Sequence, residues 1–124
     1  MAIALGGGLG AVARVALAGW TQRTIGARLW SVDPAWPIGT LVVNLLGCFA
    51  LGLLGGAAER AAPELRLVLG AGFLGAFTTF STFGVEALDL LQRNVEAALL
   101  YLATSVVGGL IAAWGGLTLA RAFG

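Results

Sequence analysis

The sequence contains no histidine and no lysine, only one cysteine, and few charged residues of either sign. Without histidine the chain lacks the commonest general base and a common metal ligand, which disfavours an enzyme. The single Cys48 excludes an intramolecular disulfide. Charged residues make up 10% of the 124 residues, against about 25% in soluble proteins. The composition therefore excludes an ordinary soluble domain, and we expect no nucleic-acid partner.

Apolar residues are abundant instead: they make up 59% of the chain and lie mainly in four long segments. Residues 34–58, 67–85 and 97–120 carry no charge, and crossing a bilayer takes roughly 20 residues of helix. We predict an all-α integral membrane protein in which residues 1–124 form one domain of four transmembrane helices, surrounded by membrane lipid. So small a domain has little room for a cavity of its own, so we expect an oligomer.

The first segment, from Met1 to about Trp20, contains one charge. Gly6, Gly10 and Arg14 follow each other at four-residue spacing and therefore share one helix face. The glycines permit close approach of another helix, which points the arginine into protein. A charge within the membrane costs roughly 3 kcal/mol or more, so Arg14 needs an internal partner or a water-filled vestibule. Alternatively, it reaches back to the membrane surface.

The third segment is the most informative, because residues 75–84 read Gly-Ala-Phe-Thr-Thr-Phe-Ser-Thr-Phe-Gly. Hydroxyl side chains and glycine compete with helical hydrogen bonding, so we predict that this helix is broken near the middle of the membrane. Transport proteins place ion sites at such breaks. A Ser/Thr-rich contact between helices is the alternative. Glu86 and Asp89 are interpreted as marking the exit of this helix into water.

Polar residues in the second and fourth segments have two interpretations each. Asn44, on one stripe with Thr40, either presents its amide to an anion or forms an interhelical hydrogen bond. Tyr101, Thr104 and Ser105 form a polar stripe that either lines a path or joins two helices. Three tryptophans in and beside the first connection are interpreted as anchors at the membrane surface: Trp20, Trp30 and Trp36.

The arginines give no preferred orientation in the membrane. With four spans, one side carries Arg60, Arg66 and Arg121, and the other carries Arg23, Arg28 and Arg93. Orientation follows the imbalance of Lys and Arg between the two sides, and here the balance is even. We therefore predict that the protein inserts both ways and pairs antiparallel.

Three stretches, residues 7–14, 39–47 and 75–83, resemble the signatures of the Fluc/CrcB fluoride channel family and occur in that family's order. The resemblance implies an antiparallel, dual-topology homodimer in the inner (plasma) membrane. It also implies passive fluoride efflux that lowers cytoplasmic fluoride and protects the cell.

The resemblance assigns roles to individual residues. The fluoride pore is implied for Asn44, Thr79, Phe80, Ser81, Thr82, Phe83, Tyr101 and Ser105. Arg14 is implied to lie in the vestibule, and the backbone carbonyls of Gly75 and Thr78 are implied to hold a structural Na⁺ ion at the dimer interface. Gly109 stands where some family members have a further hydroxyl.

Two rival functions are weighed against the channel. A small dual-topology multidrug or cation exporter needs a carboxylate in its first helix, where this chain has Arg14. A non-transporting membrane assembly factor would account for the many glycines but not for the hydroxyl and phenylalanine pattern.

Overall fold

The computed structural model describes residues 1–26, 36–58 and 60–123, and the regular elements in those residues are helices. Four helical segments are long and apolar enough to cross a membrane: Ala2–Gly26, Ile38–Gly56, Pro63–Arg93 and Val95–Ala122. The prediction of an all-α protein with four spans is confirmed. The chain is a multi-pass membrane protein.

Five helices make up these spans. They are α1 (Ala2–Thr21), α2 (Ile38–Gly56), α3 (residues 63–77), α4 (Phe80–Arg93) and α5 (Val95–Ala122). A π-helical turn, Gln22–Gly26, extends α1. Most of α3 is also π-helical, over Leu67–Leu74, between α-helical turns at Pro63–Arg66 and Gly75–Phe77. Pro63 and Glu64 begin this helix, where an acidic residue faces the positive end of the helix dipole.

Between α3 and α4, two residues leave the helical conformation. Thr78 has φ −86° and ψ 159°, and Thr79 has φ −148° and ψ 117°, both extended. The Thr78 hydroxyl donates back to the carbonyl of Leu74 at 3.0 Å. The Thr79 hydroxyl accepts from the amide of Thr82 at 3.2 Å and so caps the start of α4. The hydroxyl side chains therefore supply hydrogen bonds where the helical ladder stops.

The glycine face of α1 packs directly against α3. A Cβ placed on Gly6 would come within 2.9 Å of the carbonyl oxygen of Val68, and one on Gly10 would clash with the backbone of Phe73. No larger residue fits at either position without moving a backbone. The prediction that these glycines allow a close helix contact is confirmed.

The most extensive packing joins α2 to α5. Here too the helices meet through small residues, because a Cβ on Gly52 would clash with the Ala113 carbonyl and one on Gly116 with the Phe49 carbonyl. Gly116 on α5 and Gly52 on α2 are therefore part of this contact. Such contacts suit a membrane, where association depends on close packing rather than on water exclusion.

The predicted anchoring role of Trp36 is wrong. Its side chain is only 3% exposed and packs in the buried cluster with Leu90 and Tyr101, whereas Trp20 is 54% exposed. The indole N–H of Trp36 donates to the carbonyl of Ala97 at 3.2 Å, which removes the main penalty for burying it. Trp30 lies outside the described residues.

Candidate functional site

An open groove bounded by α2, α3, α4 and α5 gathers most of the polar and aromatic residues predicted from sequence. It is lined by Asn44, Gly75, Thr78, Thr79, Phe80, Phe83 and Ser105, among others. The two extended residues between α3 and α4 form part of its wall.

Asn44 holds the extended backbone in place from the neighbouring helix. Its Nδ2 donates to the carbonyl of Thr79 at 3.0 Å, and its Oδ1 accepts the amide of the same residue at 2.8 Å. One side chain thus satisfies both backbone groups of a buried residue. Asn44 forms the interhelical bond considered from sequence and also lines the groove, so its two interpretations are compatible.

Hydroxyl groups cluster at the start of α4. The Thr79 hydroxyl donates to the Thr82 hydroxyl at 3.0 Å and lies 3.4 Å from the Ser81 hydroxyl. Across the groove on α5, the Ser105 hydroxyl is buried and has no hydrogen-bond partner in the part of the chain that the structure describes. A buried hydroxyl without a partner is an unused donor at the wall of the groove.

Three aromatic rings follow one another from the groove into the protein. The Phe80 side chain is 83% exposed, and its ring centroid lies 5.6 Å from that of Phe83. Phe83 is buried and tilts against Tyr101 at 5.3 Å. Tyr101 has no exposed surface within the chain.

A second opening, the cleft, lies on the far side of the hydroxyl cluster. Its lining includes Gln22, Thr40, Thr82, Glu86 and Asp89. Thr82 therefore joins the two openings, since it faces the cleft and hydrogen-bonds to Thr79 of the groove. Helix α2 also reaches both openings: Asn44 lines the groove, and Thr40, one turn earlier, lines the cleft.

Glu86 is the polar residue at this end that sequence reasoning misassigned. Its carboxyl is half-buried and accepts from the Thr40 hydroxyl and from the Tyr101 hydroxyl, each at 2.8 Å. Its interpretation as an exit marker is wrong, because it joins three helices. Asp89 does fit that interpretation, being exposed and paired with Arg93 one turn along α4.

Thr40 and Glu86 were not predicted as members of the site, although a signal existed. Glu86 follows Thr82 by four residues, so it continues the polar face of α4. Thr40 precedes Asn44 by the same spacing. Their partners, however, are on other helices, which periodicity does not reveal.

Comparisons with known proteins identify the family. The family described as CrcB-like protein, Camphor Resistance (CrcB), matches residues 1–117. The chain belongs to the CrcB family. It is 49% identical to "Fluoride-specific ion channel FluC 1" of Moorella thermoacetica, over 96% of this chain and 83% of that protein. It is 44% identical to "Fluoride-specific ion channel FluC" of Chloroflexus aurantiacus, over 100% of this chain and 96% of that protein. It is also 44% identical to "Fluoride-specific ion channel FluC" of Stutzerimonas stutzeri, over 97% of this chain and 94% of that protein.

In this CrcB chain, Arg14 has the internal partner that its position required. Its Nη1 donates to the carbonyl of Thr78 at 3.5 Å, and its side chain is half-buried. The positive charge thus lies beside the extended backbone between α3 and α4. The vestibule around it stays a prediction.

Gly109 of this CrcB chain is buried and faces α2. A Cβ added there would lie 3.5 Å from the Cys48 sulfur, in ordinary contact. Position 109 therefore contacts the second helix, and the hydroxyl series on α5 is represented by Tyr101, Thr104 and Ser105. Thr104 bonds to the carbonyls of Leu100 and Tyr101 in its own helix.

Proposed function

We propose that this chain is a fluoride channel that lets fluoride leave the cell passively, with the groove, the hydroxyl cluster and the cleft as its pathway. The observation that carries the proposal is the series of hydrogen-bond donors between two openings. Asn44 and Ser105 lie at the groove, and Thr79 and Thr82 lie between the two openings. Tyr101 is buried behind the cleft, with its hydroxyl donating to Glu86 in the cleft lining. The names of the related proteins indicate the same ion.

Fluoride chemistry fits this lining. The ion is small and strongly hydrated, so a narrow pathway must replace its water with other donors. Hydroxyls and amides do this, and Asn44 retains a second amide hydrogen after bonding to Thr79. The edges of Phe80 and Phe83 are weakly positive and add modest attraction. Because the attraction is modest, the ion can also leave, which conduction requires.

The proposed assembly is a homodimer whose second copy covers the groove. Phe80 is largely exposed in one chain, and Gly84, one turn further along α4, has open space where a Cβ would be. Small residues in membrane helices commonly mark helix contacts. Ser81 and Gly75 are exposed as well. A second copy would bury this surface of apolar, small and hydroxyl residues and close the pathway on its open side.

The two copies are proposed to be antiparallel, with dual topology. The Arg60 side chain donates to the Ala120 carbonyl at 2.8 Å, so the 58–66 loop and the end of α5 lie at the same end of the molecule. This placement supports the arginine count of three on each side, which gives insertion no preferred direction. We further propose that the interruption at Thr78 and Thr79 lies near the middle of the plasma membrane.

A structural Na⁺ ion is proposed at the dimer interface, held by the backbone carbonyls of Gly75 and Thr78. In an unbroken helix the Thr79 amide would donate to the Gly75 carbonyl, but here it donates to Asn44. The Thr78 carbonyl points out of the helix and accepts from Arg14 with one lone pair. Carbonyl oxygens suit a hard cation, and two copies would supply four. The ion would fix two interrupted helices against each other.

Arg14 is proposed to serve the vestibule at the same time. A positive charge near the mouth of a pathway raises the local concentration of anions without binding them at the narrowest point. It is also the charge that argues against the exporter, because a cation carrier would need an acidic residue in α1.

The deciding experiment is efflux from liposomes containing the purified protein, followed with a fluoride electrode and, in parallel, a chloride electrode. We expect rapid fluoride efflux that needs no proton gradient, with chloride retained. An absence of fluoride efflux would reject the channel, and efflux that occurs only with a proton gradient would favour an exporter.

A further inference from the structure

Trp36 occupies an unexpected position at the cleft end of the pathway. Its indole meets the ring of Tyr101 edge to face, with centroids 5.5 Å apart and an interplanar angle of 75°. The indole N–H is bound to the carbonyl of Ala97, the residue one turn before Tyr101 on α5. Phe83 contacts the tyrosine ring at a centroid distance of 5.3 Å. Tyr101 is thus held between two other rings.

The orientation of that ring decides where its hydroxyl points. The hydroxyl oxygen of tyrosine lies on the ring axis, so a ring that cannot tilt keeps that oxygen in one place beside its acceptor. Here that acceptor is the carboxyl of Glu86, whose other oxygen accepts from Thr40. A contact that fixes the ring therefore also fixes the donors at the cleft.

Trp36 is itself held by Gln22, the first residue of the π-helical turn that extends α1. The Gln22 amide donates to the Trp36 carbonyl at 3.1 Å and accepts the Gly39 amide at 3.1 Å, so it closes the turn that begins α2. A Cβ on Gly26 would come within 2.9 Å of the Gln22 amide, so a larger residue there would displace this clamp. Directed hydrogen bonds thus run from α1 through Trp36 to α5.

We infer that Trp36 is a positioning residue for the pathway: it holds the Tyr101 hydroxyl on Glu86, and Gln22 holds Trp36. Burial by itself would need only an apolar ring at this position. Directed hydrogen bonds to the carbonyl of Trp36 and from its indole N–H fix where the ring stands, which simple filling of the space would not do. The effect on transport rests on the proposed fluoride channel, whereas the effect on the tyrosine hydroxyl does not.

The first test measures the tyrosine hydroxyl directly and needs no fluoride. Tyr101 is the only tyrosine, so tyrosine labelled with ¹³C at Cζ gives a single assignable resonance in the full-length protein. The exchange rate of the hydroxyl proton with water is read from that resonance in mixed H₂O and D₂O. We expect about tenfold faster exchange in Trp36→Phe, corresponding to a loss of about 1.4 kcal/mol from the hydrogen bond. Glu86→Ala, which removes the acceptor, gives the exchange rate of a Tyr101 hydroxyl that is not bound to Glu86.

The matched control is Trp114→Phe, which changes a tryptophan on α5 that is 67% exposed. We expect its hydroxyl exchange to equal that of the unchanged protein. Equal exchange in Trp36→Phe would overturn the inference. If Trp36→Phe does not fold, Gln22→Met, which leaves every ring in place, is measured instead and should also accelerate exchange. Failure of both variants to fold would assign these residues to folding and likewise overturn the inference.

The second test is a double-mutant cycle on fluoride efflux with Trp36→Phe and Tyr101→Phe. If Trp36 acts through the tyrosine hydroxyl, we expect it to slow efflux on its own but to add less than about twofold once that hydroxyl is gone. If the double variant slows efflux by the full product of the two single effects, the two residues act independently and Trp36 is not a positioning residue. A protein without fluoride efflux would reject the proposed function and leave the hydroxyl measurement to decide the inference.

Discussion

Replacing Asn44 with alanine is expected to destabilise the protein more than the loss of one ordinary polar contact. Asn44→Ala removes two hydrogen bonds, of 3.0 Å and 2.8 Å, to the backbone of Thr79. Each is worth about 1 kcal/mol net, and a buried backbone group left without a partner costs about 1–3 kcal/mol. Thr79 is buried but lines the groove, so we expect water there to reach one of the two freed groups. We therefore expect a loss of about 2–4 kcal/mol in unfolding free energy.

The chain offers a matched control in its other asparagine. Asn94 caps α5 by accepting the amide of Ala97 at 3.1 Å, away from the groove, and removing such a cap costs about 1 kcal/mol. Unfolding of both variants in detergent gives the two free energies, and liposome efflux gives the transport rates. Asn94→Ala should keep its fluoride efflux, while Asn44→Ala should lose most of it. Equal destabilisation by the two variants would refute the assigned role of the Asn44 clamp.

Three further predictions test the pathway and the assembly. Phe80→Ile and Phe83→Ile should slow fluoride efflux severely, because the ring edge is lost. The free energy of unfolding should change by less than about 2 kcal/mol, because apolar bulk is kept; normal efflux would mean that the rings only pack. Gly75→Leu should abolish the dimer on gel filtration, whereas Gly115→Leu should not, although a Cβ fits within one chain at both positions; a dimeric Gly75→Leu would place the interface elsewhere. A cysteine at exposed Ala62 should react with an impermeant reagent from both sides of the membrane, and labelling from one side only would exclude dual topology.

The four spans were predictable because each depends on a local property of the sequence. Apolar runs of the right length and the charges that end them need no knowledge of the partners. The spacing of Gly6, Gly10 and Arg14 likewise defines one face of α1, and the structure puts the glycines against α3 and the arginine beside Thr78. Helical periodicity says which residues point the same way, and here that was sufficient.

Trp36 and Glu86 were misassigned for the opposite reason. A tryptophan next to a charged loop ordinarily lies at the membrane surface, and acids near a helix end ordinarily face water. What overrides both expectations is contact with α5, where the carbonyl of Ala97 and the hydroxyl of Tyr101 provide partners. Those partners are 61 and 15 residues away along the chain, so no local pattern contains them.

The clamp between Asn44 and Thr79 also bears on how the protein is made. A newly inserted third span, alone in lipid, would have no side chain from α2 to satisfy the amide and carbonyl of Thr79, and unsatisfied backbone groups are very costly in hydrocarbon. Continuous helix is the conformation that satisfies them at that stage. We therefore expect Thr78 and Thr79 to become extended after insertion, when α2 docks against the third span and Asn44 can bond to Thr79. If the break lies within the membrane as proposed, we therefore expect a precursor with a straight third helix, in which the wall of the groove forms last.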